Sequence, residues 1–109
     1  FPKSRIVEGI TKLKEIGDES EFASMDPDDI PFAVDDSVIT TVIDGAAFTS
    51  AKFSALTAHK TQVTADSGFF ALSNNLGLEI FSEEHFRLVR GKLPSLGQES
   101  DLFEGLNLA

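Results

Sequence analysis

Lys52, His59 and Gln62 are the residues whose types and spacing most invite chemistry, because the stretch from Asp44 to Gln62 predicts a helix that turns polar groups inward. At about 100° per residue, Phe48, Leu56 and Val63 fall close together and should point at a core. Lys52 and His59 share that sector and Gln62 stands at its edge, while Ser50, Ser54, Thr57 and Thr61 make a plain solvent face. An inward ammonium needs a carboxylate or a route to water. A lone inward histidine is most often a hydrogen-bonded core residue, and a functional role competes with that reading. The Gln62 amide both donates and accepts, which suits a turn cap or a sugar hydroxyl.

The remaining candidates are weaker. His85, the second of two histidines, shares no ligand spacing with His59 and reads as an exposed strand residue. The acidic run Asp26-Pro27-Asp28-Asp29 lacks the glycine and terminal glutamate of a calcium loop, so it reads as a solvated acidic loop. No glycine-rich phosphate loop, Ser–His–Asp order or nucleophile elbow occurs. With no cysteine, thiolate metal sites, disulfides and cysteine nucleophiles are excluded. These residues do not compose a whole active site.

The elements that must position them are few. Ser4 to Ile16 predicts a helix with Ile6, Ile10 and Leu13 on one stripe and Gly17 ending it. Asp18 to Asp36 is acidic, carries Pro27 and Pro31, and reads as loop or extended connection. Val38 to Ile43 is β-branched throughout and predicts a strand, after which Asp44 caps the helix running to about Val63. Thr64 to Gly68 reads as a turn, and Phe69 to Leu78 as irregular, broken by Ser73, Asn74, Asn75 and Gly77. Glu84 to Arg90 alternates, with Phe86 and Leu88 expected inside and His85 and Arg87 outside. Gly91 to Glu99 is a loop. Asp101 to Leu106 reads as a short helix, capped by Ser100 and docking through Leu102, Phe103 and Leu106.

The fold class expected is therefore α+β, with about three helices and two short strands. Two strands make no stable sheet alone, so they should extend or flank a sheet supplied by another part of a longer α/β protein. The first residue, Phe1, and the single methionine at Met25 fit the expectation of a fragment, one domain's C-terminal portion spanning residues 1–109.

Composition narrows the partners. The 109 residues hold 41% hydrophobic and 25% charged residues, ordinary values for a folded domain. A net charge of −9, from 18 acidic and 9 basic residues, argues against a nucleic-acid or anionic-membrane surface. The apolar runs fall short of a bilayer span, and the expected location is the cytoplasm.

One family likeness attaches to quotable residues. Ala51-Lys52, Ala55-Leu56, Ala58-His59 and Thr61-Gln62, then Ala71-Leu72-Ser73-Asn74-Asn75-Leu76 and Glu84-His85-Phe86, resemble the C-terminal part of actinobacterial LmbE/PIG-L-type deacetylases. The ending Glu99-Ser100-Asp101-Leu102-Phe103-Glu104-Gly105-Leu106 fits too, and the likeness runs from about Asp28 to Leu106. Within that family it is strongest to the mycothiol-pathway branch, which removes acetyl from an N-acetylglucosaminyl-inositol. The resemblance implies a larger Rossmann-like enzyme in which zinc polarises the acetamide carbonyl and activates water, with an aspartate as general base.

The family takes those groups from an Ala-His-Pro-Asp-Asp-Glu motif and a later His-Pro-Asp-His motif, and this sequence has neither. Asp26 and Ile30 stand around Pro27-Asp28-Asp29 where histidine and glutamate would be, so that run is a decoy. The resemblance implies that this chain binds no metal, holds no catalytic residue and is inert alone, its partner being the N-terminal part of the same protein. It carries over three substrate-pocket positions: Asp29, Phe32 and Gln62. Asp29 replaces the family's usual glutamate. His59 and Lys52 take support roles, His59 holding the glutamine-bearing end and Lys52 pairing with an acid across the pocket wall. Two alternatives stand beside this reading, a mycothiol S-conjugate amidase and a non-enzymatic interaction domain.

Overall fold

The computed structural model describes residues 1–63, 82–94 and 97–107. Helix α1, Lys3–Glu15, organises the molecule, and Ile6, Gly9, Ile10 and Leu13 form its buried stripe. Pro2 precedes it with φ already at −64°, but offers no side-chain cap. Asp36 supplies one from a distance: its carboxylate accepts from the Ser4 backbone N–H at 2.9 Å and from the Ser4 hydroxyl. At the other end Gly17 sits at φ +72°. There Gly17 N–H donates to Lys14 C=O at 3.0 Å and Asp18 N–H to Leu13 C=O at 2.9 Å. That paired closure needs a left-handed residue, which is why glycine stands there.

Two apolar clusters flank this helix. Ile6, Ile10 and Ile30 pack with Phe22, Met25, Phe32 and Ala33, while Leu13 packs on Ala23 and Phe22. The expected loop over Asp18–Asp36 thus contains a short helix α2, Glu21–Ser24, capped by the Ser20 hydroxyl, and a 3-10 turn over Pro27–Asp29. A parallel bridge between Pro2 and Val34 closes this half.

Strand β1, Thr41–Asp44, pairs antiparallel with β2, Glu83–Phe86, in the register Thr41↔Phe86, Val42↔His85, Ile43↔Glu84 and Asp44↔Glu83. Glu99 bridges the other side of Thr41 in parallel sense. The Thr41 hydroxyl donates to the Glu99 carboxylate at 2.7 Å, and both residues are buried. Strand β1 is shorter than expected because Asp36–Val38 forms a 3-10 turn capped by Asp35.

Helix α3, Thr49–Ala58, is also shorter than its predicted span. A 3-10 turn over Ala46–Phe48 precedes it, and Asp44 caps that turn by accepting from Ala46 N–H at 2.9 Å. The change from 3-10 to α winding resets the phase, so Phe48 does not join Leu56 and is 66% exposed. Beyond Ala58 the chain folds back, with Gln62 and Val63 N–H groups both donating to the His59 carbonyl at 2.9 and 2.8 Å.

The 101–106 segment forms turns, not the expected helix, and Asp101 rather than Ser100 caps it, accepting from Phe103 N–H at 2.9 Å. Leu102, Phe103 and Leu106 are exposed, not docked. The turn expected at 64–68 and the irregular segment at 69–78 lie outside the described residues. The outcome is an α+β arrangement. Among the described residues no helix is long and apolar enough to cross a membrane.

Candidate functional site

Strand register decides which side chains meet. Val42 and His85 share one sheet face with Asp44 and Glu83, and Thr41, Phe86, Ile43 and Glu84 share the other. The first face looks toward α1. Arg5 reaches from that helix to the Glu83 carboxylate, and also donates to Glu8 at 2.7 Å. His85 Nε2 lies 3.4 Å from the same Glu83 carboxylate, and Lys12 lies 3.0 Å from Glu8.

This reverses the expectation for β2. The His85 side chain is only 10% exposed, whereas Phe86 and Leu88 stand outside. A strand shifted by one residue in phase exchanges its faces, and periodicity alone did not say which face would meet α1.

Electrostatics follow from the packing. Burial disfavours the imidazolium and holds the His85 pKa below its ordinary value, against the pull of Glu83 and with the push of Arg5. Lys12 and Arg5, donating to Glu8, hold its carboxyl below the usual range. The Ser4 donors do the same for Asp36. A cavity of about 130 Å³ opens here, lined by Arg5, Glu8, Lys12, Ser82 and His85 over the apolar floor of Ile6 and Gly9. Its lining carries donors, from Arg5 and Lys12, and an acceptor, Glu8, beside the apolar floor. Sequence reasoning missed this cluster because Arg5 and Glu83 are 78 positions apart.

The residues expected to line a site fall in two places. Asp29 is exposed at the end of the Pro27–Asp29 turn, which is a capped turn in its own right: Asp26 accepts from Asp28 N–H at 2.9 Å. Phe32 follows it, half-buried against the Ile6–Ile10–Ile30 cluster and edge-on to Phe1 at 5.9 Å. Gln62 is exposed at the turn after α3. The Pro27–Asp29 turn packs on α1.

Lys52 does point inward and meets an acid, with Nζ 2.5 Å from Glu84 Oε1 on β2. His59 does not; its side chain is exposed, and it holds the Gln62 end through its backbone carbonyl instead.

Zinc was tested against the donors present. Among the described residues no three His, Cys, Asp or Glu side chains gather as a metal would need. His85 has Glu83 beside it and Arg5 on the same carboxylate, a cation where a metal would have to stand.

Comparison with known proteins adds what geometry does not carry. No protein-family description matches the chain, and no solved structure matches it. Curated sequences do. A 1D-myo-inositol 2-acetamido-2-deoxy-alpha-D-glucopyranoside deacetylase of Geodermatophilus obscurus is 50% identical over 107 residues, 96% of this chain and 36% of that protein. The protein of the same name from Acidothermus cellulolyticus is 46% identical over 110 residues, 98% of this chain and 38% of its own length. In Catenulispora acidiphila a deacetylase 1 of that name is 42% identical over 112 residues, covering 100% of this chain and 35% of itself. Such coverage takes in α1, so the likeness starts well before Asp28, its expected beginning. The chain is similar over nearly its whole length to proteins of this name and spans a little over a third of theirs.

Proposed function

We propose that this chain is the C-terminal part of a zinc-dependent N-deacetylase that removes acetyl from an N-acetylglucosaminyl-inositol in mycothiol biosynthesis, a soluble cytoplasmic reaction. In that reading it builds one wall of the substrate pocket and scaffolds it, while the zinc ligands and the general base come from the N-terminal part. The observation that carries this is identity of 42–50% over nearly the whole chain with relatives of that name, of which it spans 35–38%. Zinc, when bound there, polarises the acetamide carbonyl and lowers the pKa of water. This chain's residues would bind and orient the sugar.

Asp29 and Gln62, both exposed, would meet hydroxyls, and Phe32 would cover a sugar face at the cavity edge. Lys52 braces the wall through Glu84, and His59 fixes the turn that presents Gln62. The partners are the amino-sugar inositol and the N-terminal part, with no role for nucleic acid or membrane. The 109-residue chain by itself should release no acetate.

The test is acetate release by the full-length parent. Gln62→Ala should raise KM or lower turnover with zinc content unchanged; loss of zinc would show that its role is misplaced. Phe32→Ala should weaken substrate capture, and because Phe32 also packs on Ile6 and Ile10 the variant's melting temperature is read alongside. The amidase alternative is decided by assaying the parent on bulky S-conjugates as well, a strong preference for which would sink the deacetylase. The interaction-domain reading is decided by the parent reading frame upstream of Phe1, where the enzyme reading requires a His-Pro-Asp-Asp motif.

A further inference from the structure

The segment following β2 and the segment following Glu99 expose an unusual share of large apolar side chains. Phe86, Leu88, Leu102 and Leu106 are 39–60% exposed, Phe103 61% and Val89 89%. These two segments are knitted at one residue. Thr40 N–H donates to Phe86 C=O and the Thr40 hydroxyl accepts from Leu88 N–H on one side, while the Thr40 carbonyl accepts from Glu99 N–H on the other. Pro94 then lies against Gly105, at φ +78°, so closely that no Cβ fits there. Both segments therefore leave the sheet beside Thr40, and the six apolar residues lie along them. Arg87, Arg90 and Lys92 stand in the first segment, which has no acid from Phe86 to Leu96, and the exposed Asp101 and Glu104 stand in the second. None of the three basic residues forms an ion pair with a described residue.

We infer that this apolar surface is the seat of the N-terminal part of the polypeptide, which meets it with an apolar face and sets Asp or Glu against the Arg87–Lys92 side. The inference rests on the reading of the chain as part of a longer deacetylase. Relatives carry nearly twice as many further residues as this chain covers, enough to form the opposing face. An apolar patch of this kind marks an interaction site rather than a solvent surface. A second copy of the chain is the poorer occupant. A segment of the same polypeptide is tethered beside this surface at a high effective concentration, which a second copy is not. Nucleic acid is poorer still, since the centre of the patch is apolar and the chain carries −9 overall.

The experiment places a photoreactive phenylalanine analogue at Phe103, and separately at Leu88, in the full-length polypeptide at high dilution. Ser54, on the exposed side of α3, is the control position. Irradiation should join both test positions to peptides upstream of Phe1 in the same molecule, in yield severalfold above the control. Cross-links only between copies, or none above the control at both positions, would overturn the inference. Arg87→Glu with Arg90→Glu should cut the upstream yield severalfold, and an unchanged yield would overturn the acidic edge assigned to the opposing face. Acetate release is scored on the same preparation. Upstream cross-links without deacetylation would sink the activity and leave this surface standing; deacetylation without them would do the reverse.

Discussion

Residues 1–33 and residues 82–107 have similar shares of large apolar side chains and treat them in opposite ways. In the first region Ile6, Ile10, Leu13, Ala23 and Ile30 are buried about α1. In the second, no hydrophobic residue is buried among those described, and Phe86, Leu88, Val89, Leu102, Phe103 and Leu106 stand in solvent. What is buried there is polar: Glu99, which accepts from the buried Thr41 hydroxyl of β1. The difference teaches where stability resides. One region closes on itself through an amphipathic helix, and the other is held by backbone pairing and a few polar contacts.

The largest effect should therefore come from the first region. Leu13, 1% exposed, packs against Ala23 and Phe22, and Leu13→Ala should cost about 2–5 kcal/mol. Phe103→Ala, though it removes a larger side chain, should change stability by no more than about 0.5 kcal/mol in the same 109-residue chain. Urea unfolding of the two variants measures both. Equal losses would erase the contrast between the regions.

Legibility in the sequence divides along the same line. Helix α1 was readable because its apolar residues recur at helical spacing and its end is marked by Gly17, both local signals. The β1–β2 pairing was not, since strand existence is local but register and facing depend on residues some forty positions away. Hence His85 was expected outside and Phe86 inside. Leu102, Phe103 and Leu106 were expected to dock because they are apolar; no described element receives them. At the candidate site, Lys52's inward turn was legible from the helical wheel, while its partner Glu84 and the Arg5–Glu83–His85 cluster required tertiary structure. Asp29, Phe32 and Gln62 were read from a family likeness, and local pattern alone would not have chosen them.

The second prediction tests the polar hold on the sheet. Thr41→Val keeps shape but removes the hydroxyl that donates to the buried Glu99 carboxylate. Leaving that acceptor short of a donor should cost about 1–3 kcal/mol. Thr41→Ser, which retains the hydroxyl, should recover most of it. If Thr41→Val is neutral, the second region owes its order to something other than this contact.

A smaller effect is expected at Lys52 and Glu84, where the side chains are 24% and 52% exposed and water screens the pair. Their coupling, measured by a double-mutant cycle with Lys52→Met and Glu84→Gln, should lie at about 0–1 kcal/mol and shrink with added salt. A coupling that ignores salt would mean that α3 is held on β2 more tightly than its exposure allows.

The smallest effect sits at the seam between the two regions and appears as a slope in pH. His85 is buried against α1, and its pKa in the folded chain lies below the ordinary imidazole value of about 6.5. The unfolded chain therefore binds a proton before the folded one does, so stability should rise with pH across that interval. Above about 6.5 the neutral imidazole's contribution is fully present, and it is lost as pH falls toward the folded-state pKa. Glu83 opposes the burial and softens the loss. Replacing His85 with Asn, which keeps a polar group but does not titrate, should flatten the slope just below about pH 6.5. An unchanged slope would place the titration elsewhere and make the α1–β2 seam insensitive to protons. A steeper one would mean that the imidazole damps the seam's dependence on pH, so the seam's charge balance rather than its burial would govern how the two regions stay joined.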